Sequence, residues 1–214
     1  MINVRFLALK CLFMMENDGY SNLVINSEIE SNDLTVRDAA FLTALVYGVV
    51  ERKITLDYQV AHFSKIPINK INIQTLNILR LGAYQLLFMD KIPDSAAVNE
   101  SVLLCKKSKL FSSTGFVNAI LRNIAKSSTL ILPNQENYSE YISVKYSMPP
   151  RVINLLYDSY GEERVQKMLD AFLCESPRYI RVNTLLTTAT ELKAALLSDG
   201  LKAEDTLLEN CLKK

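Results

Sequence analysis

Residues 72–89, NIQTLNILRLGAYQLLFM, are apolar on nearly every side of a helical wheel, and no other feature constrains the chain as much. A helix of that kind cannot face water in any direction, so it needs neighbours all round and belongs at the centre of a bundle. The flanking sequence provides them. Val4, Leu7, Ala8, Cys11, Leu12 and Met15 recur at helical spacing, predicting a helix from about Ile2 to Asn17. A shorter helix fits Asn22 to Ile29. Thr35 then reads as an N-cap with Asp38 at N3, opening a helix that bends and runs on to about Phe63, where Pro67 closes it. Asp94 is expected to cap DSAAVNESVLLCKKSK, and SSTGFVNAILRNIAKS is the last helix of the series. Short loops between amphipathic helices indicate a mainly α chain built on an all-α bundle over residues 1–130.

The character changes near residue 131. LPNQENYSE reads as a linker, and EYISVKYSM, PPRVINLLYDSYG and EERVQKMLDAFLCE read as a helical connector to about 176, with Pro149 and Pro150 as a start signal. After Pro177, RYIRVNTL alternates like a strand, and Thr187 or Thr188 starts the helix ATELKAALLSD. Gly200 stands at its C′ position, and LKAEDTLL fits a second strand. Residues 177–214 are thus expected to be the start of a small α/β subdomain, incomplete in this chain.

The six glycines are all more than 25 positions apart, so no phosphate-cradling loop of the G-x-G-x-x-G or G-x-x-x-x-G-K type can be written. A Gly-rich nucleotide or S-adenosylmethionine pocket is not expected. Cys11, Cys105, Cys174 and Cys211 are far apart and His62 is the single histidine, which argues against a metal site of ordinary spacing. The thiols read as reduced, half-buried core residues, and His62 as a packed or solvated side chain. No apolar run approaches the roughly 18 residues of a membrane span, and Arg5 and Lys10 interrupt any leader-like segment. A cytoplasmic protein without metal or membrane is the expectation.

The formal charge is only +1. Between Ser101 and Gln135, however, lie five basic residues and no acidic one: Lys106, Lys107, Lys109, Arg122 and Lys126. In TGFVNAILRN and its continuation, Val117, Ile120, Leu121 and Ile124 share one side of the helix. Gly115, Asn118, Arg122 and Lys126 share the other. Two readings fit this stripe. Either a neighbouring helix packs over Gly115 with Asn118 bonding its backbone, or the face is a phosphate-contacting surface together with Lys106, Lys107 and Lys109.

Four segments in order, YSNLVIN, RDAAFLTALVYGVVERKITLDYQVAHFS, LNILRLGAYQLLFMDKIPDSAAVNESV and GFVNAILRNI, closely resemble the NusB-like N-terminal domain of the RsmB (Sun, Fmu) family. The remainder resembles the connector and the first part of an RRM-like α/β region that precede the catalytic domain in that family. The resemblance implies an RNA-binding, substrate-recognition part of an S-adenosylmethionine-dependent 16S rRNA cytosine-5 methyltransferase, with 16S rRNA as partner and, as in NusB, a ribosomal protein as a second one. The family's catalytic cysteines, one in a Pro-Cys motif, have no counterpart, since none of the four cysteines follows a proline. No catalytic role or cofactor site is therefore expected in this chain, S-adenosylmethionine being a requirement of the full-length enzyme. NusB proteins tend to start with an Arg-rich segment, whereas only Arg5 and Lys10 occur in the first 15 residues. The Lys106–Lys126 face becomes the leading RNA candidate, and Arg178 and Arg181 beside Asn183 the second. The alternatives are a stand-alone NusB-like antitermination factor that binds RNA and protein, and a protein-interaction module without RNA.

Overall fold

The structure is a computed structural model that describes residues 3–16, 20–127, 129–174 and 178–213. Ile2 and Asn17, the expected ends of the first helix, and Pro177 lie outside them. The described residues cluster into two compact units, 1–165 and 166–214.

In the first unit, α1 (Val4–Met15) starts where the Asn3 side chain accepts the Phe6 N–H at 2.9 Å. After α2 (Ser21–Ser31) comes α3 (Val36–Glu51), with Thr35 Oγ1 accepting the Asp38 N–H at 3.2 Å. The expected bent helix to Phe63 is two helices. Arg52, at φ −100° and ψ 15°, ends α3 and starts α4 (Lys53–Phe63). The break redirects the chain so that α4 reaches both the central helix and the later helix Tyr138–Tyr146. Asn72 caps α5 (Ile73–Phe88) by accepting from the Gln74 and Thr75 N–H groups. Asp94 is not a cap. Pro93 holds that position, and Asp94 is the first residue of α6 (Asp94–Lys107), where its carboxylate meets the positive helix end. A short loop leads to α7 (Thr114–Ser127).

As its pattern requires, α5 is the axis of the bundle, touching α1, α3, α4, α6 and α7. Close approach is bought with glycine at two places. A Cβ on Gly48 would stand 1.9 Å from the Tyr84 ring, and one on Gly82 would stand 2.4 Å from Leu121. Arg80 of α5 is 4 % exposed and fully engaged. It donates from Nε (2.6 Å) and Nη2 (2.8 Å) to the two oxygens of Asp57, and from Nη1 to Glu16 (3.1 Å) and Asn77 (2.8 Å). One guanidinium thereby joins α1, α4 and α5, a fork geometry that only Arg offers.

The linker is held on the bundle. Buried Gln59 donates to the Ile131 carbonyl at 2.7 Å and accepts the Ile131 N–H at 3.0 Å, as a strand partner would. Thr55 Oγ1 donates to the Val144 carbonyl at 2.6 Å, which docks α8 (Tyr138–Tyr146) on α4. Next come α9 (Pro150–Tyr160), with Pro150 in its first turn, and α10 (Glu162–Phe172).

The second unit carries β1 (Tyr179–Arg181), α11 (Ala189–Ser198), β2 (Glu204–Asp205) and β3 (Cys211–Lys213). Thr188 caps α11 in a reciprocal capping box with Glu191, and Gly200 follows at φ +75°. The sheet is antiparallel in the order β1-β3-β2. Its central strand, β3, was not among the expected strands.

Candidate nucleic-acid interface

The connection between α6 and α7 is short and the two helices pack on each other, so they form an antiparallel hairpin. Lys106 and Lys107 occupy the last turn of α6, where positive charge offsets the helix dipole. Lys109 follows in the left-handed region at φ 59°. The Leu110 N–H reaches back to the Cys105 carbonyl at 2.8 Å and the Lys109 N–H to Lys106 at 3.1 Å, closing the helix as a Schellman motif. This turn holds three exposed ammonium groups at one end of the hairpin.

On α7 the division of faces is as expected. Val117, Ile120, Leu121 and Ile124 are buried, whereas Arg122 and Lys126 are exposed. The reading in which a helix packs over Gly115 is overturned, since a Cβ built there would meet nothing within 4 Å. Asn118 is half-buried, and its amide makes no hydrogen bond among the described residues. Lys126 stands about 16 Å along the helix axis from Gly115, at the opposite end from the lysine turn. The five cations are thus a strip along a hairpin, not a cluster. Among the described residues none of them is in an ion pair.

Arg178 and Arg181 belong to the second unit, and both are exposed. Arg181 ends β1, opposite Cys211. Arg178 precedes the strand, and the alternation of an extended chain points it away from Arg181. The structure does not bring these two together.

A second feature of the first unit escaped the sequence reading. A cleft of about 900 Å³ opens between α1, α3 and α5, lined by Arg5, Arg37, Phe41, Tyr84, Phe88 and Lys91 among others. Arg5 donates from Nε to Gln85 at 2.6 Å and lies 5.1 Å over the Phe41 ring. Burial pulls its guanidinium below the usual value, against the field of Glu100. Burial, reinforced by Glu51, raises the Tyr84 phenol. Lys10, by contrast, is engaged with Glu28. A polar Gln85 amid the apolar run was the one available signal.

The thiols offer no nucleophile in this unit. Burial pushes Cys11 and Cys105 up to about 11, which disfavours the thiolate. Of the four thiols expected to be half-buried, only Cys211 is; Cys11 and Cys105 are fully buried and Cys174 is exposed. His62 packs edge-on against Phe63 at 4.9 Å. No group of three metal-ligating side chains occurs among the described residues, and none of their helices is long and apolar enough to cross a membrane.

The NusB family model matches residues 2–126, the whole of the bundle through α7. The chain belongs to the NusB family. Transcription antitermination protein NusB of Clostridium novyi (strain NT) is 32% identical over 127 residues, which cover 57% of this chain and 95% of that protein. The probable ribosomal RNA small subunit methyltransferase B of Bacillus subtilis (strain 168) is also 32% identical, but over 203 residues, 94% of this chain and 45% of that protein. The chain thus spans under half the length of that relative. Among solved structures, T. maritima NusB matches with a TM-score of 0.53 at 25% identity, over 60% of this chain and 91% of that one. The crystal structure of PH0851 matches with a TM-score of 0.63 at 17% identity, over 100% of this chain and 48% of that one, a likeness of fold. The α6–α7 strip and the α1–α3–α5 cleft both lie inside the NusB-family region, and Arg178 and Arg181 lie outside it.

Proposed function

We propose that this chain is the RNA-holding, NusB-like N-terminal region of an S-adenosylmethionine-dependent 16S rRNA cytosine-5 methyltransferase working in the cytoplasm. The observation that carries the reading is where the similarity ends. The NusB relative is similar over 57% of the chain, whereas similarity to the methyltransferase relative runs on to 94%, through the connector and into the sheet unit. A stand-alone antitermination factor has no need of those later elements. In this reading residues 1–130 bind RNA, 131–176 connect, and 177–214 begin the α/β subdomain before a catalytic domain that holds the cofactor and the cysteines. A ribosomal protein is a further partner by analogy with NusB.

Within the bundle, Lys106, Lys107, Lys109, Arg122 and Lys126 make the phosphate contacts, Asn118 offers its unpaired amide, and Gly115 leaves room for the RNA backbone. Each neutralised phosphate adds about 0.7 to 0.9 to the slope of log affinity against log salt. Replacing Lys106, Lys107 and Lys109 together by Ala should therefore weaken binding to a 16S rRNA fragment and flatten that slope by about 2. An unchanged slope with the bundle still folded would remove the lysine turn from the interface.

A further inference from the structure

The α6–α7 hairpin carries its charge in two sets with an uncharged stretch between them. Lys106, Lys107 and Lys109 stand at the turn, and Arg122 and Lys126 in the second half of α7. Between the two sets, the exposed stripe of α7 that continues to Arg122 and Lys126 holds only Gly115 and Ala119. A Cβ built on Gly115 would meet nothing within 4 Å, so this middle section is smooth and open. Asn118 flanks the stripe on one side and Asn123 on the other. Neither amide makes a hydrogen bond among the described residues. No aromatic ring lies on the exposed face of α7. Phe116 packs against the core, and Phe111, 65% exposed, belongs to the turn.

We infer that this face takes double-stranded RNA across its minor groove, with the lysine turn on the phosphates of one strand, Arg122 and Lys126 on those of the other, and the two asparagines on 2′-hydroxyls between them. The inference rests on the RNA reading above and deepens it at the same site. A single strand is held by a continuous basic track with rings on which its bases stack, and α7 offers neither. A duplex brings two backbones to one surface, with a groove between them. The major groove of an RNA helix is too deep and narrow for side chains to read, whereas its minor groove is wide, shallow and displays 2′-hydroxyls. A smooth helix face between two sets of cations fits that shape. An amide both donates and accepts, as a 2′-hydroxyl does, so Asn118 and Asn123 suit the walls of the groove. DNA has a narrow minor groove and no 2′-hydroxyl, so the same face discriminates against it.

The test is fluorescence anisotropy of the 214-residue chain with a blunt RNA duplex of about 16 base pairs, the span of a double-stranded-RNA-binding domain. One of its strands alone and the matching DNA duplex are the competitors. The RNA duplex should bind about 5-fold or more tighter than either of them. Changing Arg122 and Lys126 together to Ala should weaken duplex binding and flatten its salt slope by about 2. Asn118→Ala combined with Asn123→Ala should bring the two duplexes to within about 2-fold of each other. Phe111→Ala, which removes the exposed ring of the turn, should leave duplex binding unchanged. If the lone strand or the DNA duplex binds as tightly as the RNA duplex, the groove is refuted while RNA binding by this chain stands. Duplex binding indifferent to Arg122 and Lys126 refutes it equally, because one end of the strip would then be idle. If the unmodified chain binds no RNA at all, the RNA reading fails and takes the inference with it.

Discussion

The bundle and the sheet unit are held together in different ways. In the first unit α5 packs against α1, α3, α4, α6 and α7 around one continuous core, with one buried guanidinium linking three helices. The second has a three-stranded sheet of two- and three-residue strands and one covering helix. Its Leu185, Leu186, Leu207 and Leu208 are between 69% and 106% exposed. Small units bury a smaller fraction of their surface and are correspondingly marginal. Core and accessible surface are thus divided along the chain: the bundle presents charges on a packed frame, and the sheet unit presents side chains with little core beneath them.

The comparison breaks most easily at Arg80. Arg80→Ala leaves part-exposed Asp57 without its partner while Glu16 keeps Lys53, and losing hydrogen bonds to a charged group costs about 2–3 kcal/mol. Chemical denaturation should show that loss as a lower midpoint of the main transition. An undiminished midpoint would mean that the network does not hold the bundle together. Gly48→Ala comes next, since its methyl would collide with the Tyr84 ring and overpacking costs about 1–3 kcal/mol. Gly115→Ala points the other way. It enters open space in a helix, so it should stabilise by up to about 1 kcal/mol, and thermal melting of the two variants side by side gives opposite signs or refutes the packing described.

The thiols sharpen the contrast by reactivity. Cys11 and Cys105, raised to about 11 by burial, should react with a thiol reagent only on unfolding, whereas exposed Cys174 reacts in the native chain. The linkage has a definite sign. The folded pKa lies above the unfolded one, so the contribution to stability is full below the unfolded value and is lost as pH rises towards 11. Bundle stability should therefore fall between about pH 9 and 11, and a Cys11→Ser, Cys105→Ser variant should show less of that fall. Equal slopes for both proteins would exclude the thiols as its source.

Much of the bundle was legible because its signals are local. The all-round apolar run of α5, the Thr35 cap with Asp38 and the two-sided α7 each show within a few residues. Arg80 was not legible, because Asp57 and Glu16 lie 23 and 64 residues away in sequence. A bend on the way to Phe63 was legible, but not that it is a full break at Arg52, since helical periodicity continues across it and only the distant contacts of α4 require the turn. For the candidate site, the charges of the lysine turn and the α7 strip were readable. Their separation over the length of the hairpin was not, nor was the open space over Gly115, since both depend on how α6 and α7 fold against each other.

The most direct test of the central claim is fluorescence anisotropy of the chain with a 16S rRNA hairpin fragment and a length-matched unrelated RNA, over a series of salt concentrations. Binding to the ribosomal fragment should be tighter and should weaken as salt rises. Equal binding of both RNAs, or none, would contradict a role for this chain in holding the ribosomal substrate.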